Sequence, residues 1–279
     1  MYTALTTPAT PTAHWILQQD LYWEQAYADL PAVLQAMGAA YSFHKIVPNT
    51  YDLDPPLPAH LLTNPIICMG SYSLRHCAAK LHLSPGVYDL EPYPFPVQLQ
   101  HWGNRMLNSD SQLTTIKHAT IPSKAVFVRP AQDSKSFSGM CLSPDAFKTW
   151  QQQVLTGRTN PPSLTPTTEV QIAALKTIHS EFRFWIVQGK PITASLYRRG
   201  NTVQYVEATV YSEPALWQYA VECCEQWMPL PTFCLDIANT PDGFKIIEIG
   251  TINSCGLYAA NLQKLLFSLE DSLSPPNPL

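Results

Sequence analysis

The stretch that decides the fold is FCLDIANTPDGFKIIEI, which spans Phe233 to Ile249. Two apolar runs that are rich in strand-forming residues, Phe233–Ile237 and Phe244–Ile249, flank a polar segment containing proline, aspartate and glycine. Such runs on either side of a turn-forming segment predict a β-hairpin. We therefore expect two antiparallel strands joined by a five-residue loop, Asn239–Gly243.

Two carboxylates interrupt the apolar character of this hairpin. If Ala238 lies opposite Phe244, Asp236 and Glu248 fall on one face as diagonal neighbours, within reach of a shared cation. Burying carboxylates among apolar strands costs free energy unless a positive charge lies beside them. Mg²⁺ can supply that charge, because it binds one or two carboxylates together with phosphate oxygens. The alternative is that both acids are solvated, or paired with Lys or Arg. A register shift of one residue would put them on opposite faces.

A second hairpin carries the opposite charge. Its turn is Gln-Gly at 188–189, and the alternation of a strand places Glu181 and Arg183 on one face. A two-residue turn brings Arg183 opposite Ala194 and projects Arg198 to the same side. Two guanidinium groups on one sheet face form a fork for phosphate or carboxylate. The simpler alternative is a Glu181–Arg183 salt bridge beside a solvated second arginine.

Two loops add candidate ligands. A strand that ends at Arg129 leads into a small polar loop that contains Lys135 and reaches Gly139. Backbone N–H groups in such a loop can close over phosphates, although an ordinary surface connection fits equally well. Asn253 lies in the loop before the last predicted helix and could add an oxygen ligand to the same metal. A lone Asn in a loop is, however, more often a turn former.

The composition narrows the class of protein. Of the 279 residues, 46% are apolar and 14% are charged, and no apolar stretch is long enough to span a membrane. The net charge of −4 argues against nucleic-acid binding, which depends on clustered Lys and Arg. Seven cysteines without a CxxC pair, and scattered histidines, argue against a disulfide framework and a zinc site. We expect a cytoplasmic protein without nucleic-acid or membrane partners; the sequence leaves its oligomeric state open.

Helical and strand patterns alternate along the chain, which indicates an α/β or α+β architecture. In the first third, Ile66–Gly70 is predicted to be a buried strand. Pro31 suits the first turn of a helix and Asp29 suits its cap, so this helix is predicted to begin at Leu30. In the centre of the chain, Ser143 is predicted to cap another helix.

The order of these pieces resembles the ATP-grasp superfamily, which includes glutathione-synthetase-like and ribosomal-protein glutamate-ligase-like enzymes. The likeness is strongest to small bacterial and phage members, and SEFRFWIVQGK at 180–190 and IIEIGTINSCGLY at 246–258 carry most of it. It covers roughly residues 97–270. The resemblance implies an ATP-grasp fold, in which two α+β subdomains sandwich ATP, preceded by a small α/β domain.

The same resemblance implies a division of the chain. Residues 1–95 would form the preceding α/β domain, and residues 96–270 the ATP-grasp domain. Within the latter, 96–168 would carry the phosphate loop and 169–270 the metal site. The proline-rich tail, 271–279, is predicted to be disordered.

Roles are carried over from the family position by position. The resemblance implies catalytic roles for Arg183 and Arg198, which would steady the γ-phosphate and the acyl-phosphate. It implies nucleotide binding by Arg129, Lys135, Glu169, Gln171, Ile172 and Glu181, and Mg²⁺ binding by Asp236, Glu248 and Asn253.

The implied activity is an ATP- and Mg²⁺-dependent ligase that joins a carboxylate to an amine through an acyl-phosphate, with small-molecule or peptide substrates. A kinase-like phosphotransferase and a non-catalytic nucleotide-binding protein are the alternatives. Two positions depart from the family pattern. Arg129 replaces a common lysine, and Gly250 stands where many members have a metal-binding Asn, so that Asn253 is expected to substitute for it.

Overall fold

The computed structural model describes residues 12–19, 21, 24–89, 93–131, 137–158 and 164–273. The strands are β1 (His14–Gln18), β2 (Ala40–Ile46), β3 (Leu53–Asp54), β4 (Ile66–Met69), β5 (Pro85–Gly86), β6 (Gln112–Thr115), β7 (Val126–Pro130), β8 (Met140–Leu142), β9 (Glu169–Ala174), β10 (Ser180–Val187), β11 (Lys190–Arg199), β12 (Thr202–Glu207), β13 (Phe233–Thr240) and β14 (Gly243–Gly250). The helices are α1 (Gln25–Met37), α2 (Leu74–Lys80), α3 (Phe95–Trp102), α4 (Pro144–Leu155), α5 (Pro214–Gln226) and α6 (Leu262–Asp271). None of these helices is long and apolar enough to cross a membrane.

The chain forms two compact units. The first comprises residues 1–90, 180–237 and 248–279, and the second comprises 91–179 and 238–247. The domain boundaries expected from the sequence remain a prediction. Most of the tail expected to be disordered lies outside the described residues.

The first unit opens with a mainly parallel sheet in the order β3-β2-β1-β4-β5. Strand β1 pairs in parallel with β2 on one side and with β4 on the other. Parallel neighbours need a crossover connection, and α1 supplies it between β1 and β2. The predicted strand at Ile66–Gly70 is confirmed as β4, and all four of its residues are buried.

Helix α1 begins earlier than the sequence predicts. It starts at Gln25, so Pro31 lies inside the helix and not in its first turn. An internal proline forfeits one backbone hydrogen bond. Burial of Ala26, Tyr27 and Leu30 against the core offsets this loss and extends the helix toward its N-terminus.

A second five-stranded sheet has the order β12-β11-β10-β13-β14, and most of its residues belong to the first unit. One face packs against α5, where Phe184 and Trp217 meet edge to face with ring centroids 5.4 Å apart. Trp185 points into another core cluster, which it shares with Leu265 and Leu269 of α6. Apolar side chains of β10 therefore pack on both faces of the sheet.

The hairpin formed by β13 and β14 has a tighter turn than the five-residue loop that the sequence predicts. Strand β13 runs to Thr240 and β14 begins at Gly243, which leaves a two-residue turn. The Thr240 hydroxyl donates to the Gly243 carbonyl oxygen at 2.7 Å and accepts from the Asp242 N–H at 3.2 Å. Gly243 has φ of +89°, a conformation that glycine adopts without steric cost. These local bonds extend the strands into the segment that the sequence assigns to a loop.

The second unit is built on a four-stranded antiparallel sheet in the order β6-β9-β7-β8. Helix α4 covers one face, and Phe147 packs with Val128 and Val170 in the core. The predicted cap of α4 is confirmed, because the Ser143 hydroxyl accepts the N–H of Ala146 at 3.2 Å.

A buried carboxylate ties α6 to β1. Glu270 accepts the backbone N–H groups of Thr12 and Ala13 at 3.0 and 3.2 Å, and also the indole N–H of Trp15. Because three donors surround one carboxylate, the buried charge is compensated. This cluster fixes the last helix on the central strand of the first sheet.

The substitution Glu270→Gln is expected to lower the free energy of unfolding by about 1.5–3 kcal/mol, since it replaces charge-assisted hydrogen bonds with weaker ones. Urea unfolding followed by tryptophan fluorescence measures the change. Asp271→Asn, at the exposed neighbouring residue, is the control and should leave the midpoint unchanged. Equal midpoints for the two variants would contradict the anchoring role of Glu270.

A histidine–serine chain crosses the first sheet. His44 Nδ1 donates to the carbonyl oxygen of Pro55 at 2.6 Å, so in neutral His44 the Nε2 atom accepts from the Ser42 hydroxyl at 2.7 Å. Ser42 in turn accepts from His14 Nε2 at 2.7 Å. Burial, followed by the neighbouring His44 and His60, lowers the pKa of His14. This series of hydrogen-bonded side chains therefore favours neutral His14 in the folded state.

Stability should fall as the pH drops below about 6.5, because the unfolded chain then binds a proton that folded His14 does not. His14→Gln keeps an amide donor at this position. It should remove part of the dependence of stability on pH. Urea unfolding of both proteins at about pH 7.5 and about pH 5.5 tests this. Parallel pH profiles for the two proteins would show that His14 does not contribute.

Candidate functional site

The centre of the candidate site is a paired arginine and aspartate in the first unit. Arg183 on β10 donates through Nε and Nη2 to the two carboxylate oxygens of Asp236 on β13, at 2.8 and 2.7 Å. Their side chains are 13% and 5% exposed. Burial disfavours the charged guanidinium, but the adjacent Asp236 outweighs this and raises the pKa of Arg183. The predicted arginine and the predicted metal ligand therefore form one ion pair.

Aromatic rings surround the guanidinium. The Arg183 carbon Cζ lies 5.1 Å from the ring centroid of Tyr258 and 5.9 Å from that of Tyr197. Tyr258 also stacks on Tyr197 and on the half-exposed Tyr205, with centroids 5.2 and 4.9 Å apart. Burial raises the pKa of Tyr258 to about 12, so its phenol is neutral at physiological pH. The rings contribute cation–π stabilisation and shield the ion pair from water.

The loop after β14, residues 251–258, completes this region; we call it the asparagine loop. Its Gly256 carbonyl oxygen lies 3.4 Å from Nη1 of Arg183. A Cβ at Gly256 would lie 2.5 Å from the Tyr258 ring, so only glycine allows the ring to occupy this position. Asn253 is 2% exposed, and its side-chain oxygen Oδ1 is buried without a hydrogen-bond partner. An unsatisfied buried oxygen is costly unless a ligand binds it.

The first turn of α1 contacts the asparagine loop. The Tyr27 hydroxyl lies 3.2 and 3.1 Å from the carbonyl oxygens of Asn253 and Cys255. Glu24 accepts the backbone N–H of Tyr258 and that of Leu257. Burial raises the pKa of Glu24, although both N–H groups and nearby Arg183 act in the opposite direction.

The two predicted metal-binding carboxylates occupy one hairpin. A Cβ at Gly250 would lie 3.8 Å from Cβ of Cys234, so these two positions share a face. Unbroken alternation from these positions would place Asp236 and Glu248 on that face as well, and their shared face stays a prediction. A regular ladder from the two-residue turn would separate the acids, so a shared face needs one register shift between the turn and Gly250.

These residues fit a magnesium ion better than a transition metal. Within the described part of the chain, no group of three or more His, Cys, Asp or Glu side chains could hold a metal. Mg²⁺ needs only one or two carboxylates, with other oxygens from waters and phosphates. Each Asp236 oxygen keeps a lone pair beside its bond to Arg183. The unsatisfied Oδ1 of Asn253 is a suitable further oxygen donor.

The register of the arginine hairpin differs from the prediction. The two-residue turn is confirmed, with Val187 opposite Lys190, but an irregularity after Trp185 brings Arg183 opposite Ser195 and not Ala194. The extra residue, Ile192, belongs to β11.

Glu181 and Arg198 lie opposite each other on β10 and β11. Arg198 Nη1 is 3.6 Å from Glu181 Oε1, and the Tyr197 hydroxyl donates to the other carboxylate oxygen at 2.7 Å. The Arg198 side chain is 50% exposed, so its ion pair is weaker than that of Arg183.

The remaining predicted residues that the structure describes lie in the second unit. Arg129 on β7 is opposite Gln171 on β9, and alternation puts Glu169 on the same face. Gln171 donates to the Ser111 hydroxyl at 2.9 Å, while its buried Oε1 has no hydrogen-bond partner. Ile172 points to the opposite face, into the core. Lys135 lies outside the described residues.

Sequence reasoning missed the groups that surround the ion pair. Glu24 and Tyr27 precede Arg183 by more than 150 residues, and no spacing relates them to it. Tyr197 and Tyr258 stand next to predicted residues, but tyrosines in strands and loops are ordinary core residues. Gly256 could have been found from the sequence, because a glycine beside an aromatic residue permits close packing.

A sequence model of the ATP-grasp domain, family 3 of the R-2-K clade, matches residues 36–269 of the chain. No protein of curated function matches it.

Solved structures share the fold at low sequence identity. A RimK domain ATP-grasp protein from Sphaerobacter thermophilus gives a TM-score of 0.57 at 14% identity, covering 92% of this chain and 100% of its own. D-cycloserine synthetase DcsG gives 0.56 at 11%, over 94% and 100% of the two chains. D-alanine–D-alanine ligase from Bacillus anthracis complexed with ATP gives 0.55 at 12%, over 94% and 96%. These matches confirm the predicted ATP-grasp fold.

Asp236→Asn should lower the free energy of unfolding by about 3 kcal/mol, because it leaves the buried guanidinium of Arg183 without its charge partner. Arg198→Gln, which breaks the exposed pair with Glu181, should cost less than about 1 kcal/mol. Urea unfolding of both variants measures the difference. A larger loss in Arg198→Gln would contradict the assignment of Arg183–Asp236 as the central pair.

Proposed function

Since the chain belongs to family 3 of the R-2-K clade of ATP-grasp domains, we propose that it is an ATP- and Mg²⁺-dependent ligase that joins a carboxylate to an amine. The observation that supports this most is the arrangement around Arg183. A guanidinium held by Asp236 lies beside the asparagine loop, whose Asn253 offers an unsatisfied oxygen. A cationic group and an oxygen donor from the adjoining loop suit a metal-bound phosphate.

We assign the metal to Asp236, Glu248 and Asn253. When bound, Mg²⁺ would neutralise negative charge on the phosphates. The nucleotide is assigned to a set of residues implied by the family resemblance: Arg129, Lys135, Glu169, Gln171, Ile172 and Glu181. Ile172, whose side chain lies in the core, would contribute only its backbone. The ATP complex of D-alanine–D-alanine ligase, which shares the fold, supports a nucleotide site of this kind.

The proposed reaction has two steps. A substrate carboxylate oxygen attacks the γ-phosphorus, the bond to the β–γ bridging oxygen breaks, and ADP leaves. The amine nitrogen then attacks the acyl carbon, phosphate leaves with the bonding electrons, and the amine proton passes to solvent. Arg183 and Arg198 would offset the negative charge that develops on the transferred phosphoryl group. Small-molecule and peptide substrates both suit this chemistry.

We also propose the division of the chain implied by the family resemblance. Residues 1–95 would precede an ATP-grasp domain at 96–270, with the phosphate loop in its first part and the metal ligands in its second.

A second candidate is a nucleotide-binding protein without ligase activity. It is favoured by the bidentate bond between Arg183 and Asp236, which offsets the charge of one metal ligand, and by Gly250 in place of an Asn. A side chain at Gly250 would make only an ordinary contact with Cys234, so Gly250→Asn is sterically permitted. This variant can therefore test whether metal binding is weakened.

Nucleotide binding should appear as thermal stabilisation. ATP with Mg²⁺ at a hundredfold excess over its dissociation constant should stabilise the fold by roughly 2.7 kcal/mol. Glu248→Gln and Asn253→Ala should each lose the Mg²⁺-dependent part, and Gly250→Asn should restore it in the Asn253→Ala background. Glu225→Gln, at an exposed position on α5, is the control. No shift with any purine nucleotide would refute the proposal.

Ligase activity is tested by ADP release from pools of carboxylates with hydroxylamine as the amine. Acyl-phosphate formation predicts a hydroxamate product and loss of ADP release in Arg183→Lys, which cannot form the same bidentate fork. ADP release without any hydroxamate would favour a kinase. Nucleotide binding without ADP release would favour the second candidate.

A further inference from the structure

The start of α1 makes a set of polar contacts that the proposed reaction does not use. Tyr27 and Glu24, each 8% exposed, direct their side-chain oxygens at the backbone of the asparagine loop. The Tyr27 hydroxyl is shared between two carbonyl oxygens of this loop, and the Glu24 carboxylate accepts two of its N–H groups. Four backbone groups of one short loop are therefore satisfied from a single helical turn.

The asparagine loop needs such support, because its conformation is unfavourable by itself. Tyr258 has φ of +49°, which costs free energy in a residue with a side chain. Glu24 binds the N–H of this same residue. Burying a carboxylate and a phenol is costly as well, so these contacts persist only because the backbone donors and acceptors compensate them.

Three groups of the candidate site depend on the position of this loop. They are the side-chain oxygen of Asn253, the Gly256 carbonyl oxygen that accepts from Arg183, and the Tyr258 ring that lies against the same guanidinium. A shift of the loop would displace all three together. Gly70 provides one further backbone bond, to the Asn253 carbonyl oxygen at 2.9 Å.

We propose that Glu24 and Tyr27 are positioning residues that hold the asparagine loop in the geometry required for Asn253 to bind the metal and for Tyr258 to cover Arg183. The inference rests on the proposed function for its consequence in catalysis, but the positioning itself is a property of the free protein. It predicts that weakening these contacts mainly reduces Mg²⁺ affinity and leaves the rate at saturating Mg²⁺ largely intact.

Tyr27→Phe removes the hydroxyl and keeps the ring that packs in the core. Glu24→Gln keeps one carbonyl acceptor, and Glu24→Ala keeps none. The Mg²⁺ concentration for half-maximal ATP-dependent stabilisation should rise about tenfold in Tyr27→Phe and Glu24→Ala. Glu24→Gln should recover part of that loss. Gln25→Ala, at the exposed neighbouring residue of α1, is the matched control and should match wild type.

A second readout requires no nucleotide. Cys255 is a buried free thiol in the asparagine loop, Cys68 is a buried free thiol in β4, and Cys141 is exposed. Alkylation with a maleimide, quantified by peptide mass spectrometry, reports the opening of each region. Tyr27→Phe and Glu24→Ala should label Cys255 faster while Cys68 stays protected, and Cys141 should react at the same rate in all proteins.

The outcomes separate the two proposals. If wild type does not bind ATP and Mg²⁺ but Cys255 is selectively exposed in the variants, the proposed function fails and the positioning role stands. If Cys255 labelling is unchanged, or if Cys255 and Cys68 are exposed equally, the positioning role is overturned. Unchanged Mg²⁺ dependence despite selective exposure of Cys255 would overturn the link to the metal.

Discussion

The buried ion pair between Arg183 and Asp236 constrains everything around it. Neither charge can lie in an apolar sheet alone, and the bidentate geometry compensates both only if β10 and β13 keep their register. The rings of Tyr197 and Tyr258 lie against the guanidinium and shield it from water. The group that we propose to act on the transferred phosphoryl group is thus also one that stabilises the fold.

The strands and helices that the sequence predicts well are those with strong local signals. The Gln-Gly turn, the Ser143 cap and the buried strand β4 were all predicted correctly, because propensity and turn chemistry act over a few residues. Family resemblance supplied the ATP-grasp fold as a whole. Its assignments of single residues to ATP and Mg²⁺ remain predictions.

The errors arise where tertiary contacts override local preference. Helix α1 extends past the start that Pro31 suggested because residues before it are buried, and the deciding hairpin closes in a two-residue turn because Thr240 binds across it. The positioning contacts of Glu24 and Tyr27 were invisible for a different reason. They join segments that are 234 and 226 residues apart, and a single sequence carries no signal for such pairs.

Those long separations have a consequence for how the site forms during synthesis. Asp236 and Glu248 belong to one hairpin, a local structure that closes in about 1–10 μs once both strands exist. The asparagine loop follows this hairpin, whereas α1 precedes every other element of the site. The contacts between α1 and the loop therefore form only when residues 251–258 have left the ribosome. A nascent chain that stops before Asn253 would hold its carboxylate hairpin but not the loop that completes the proposed metal site.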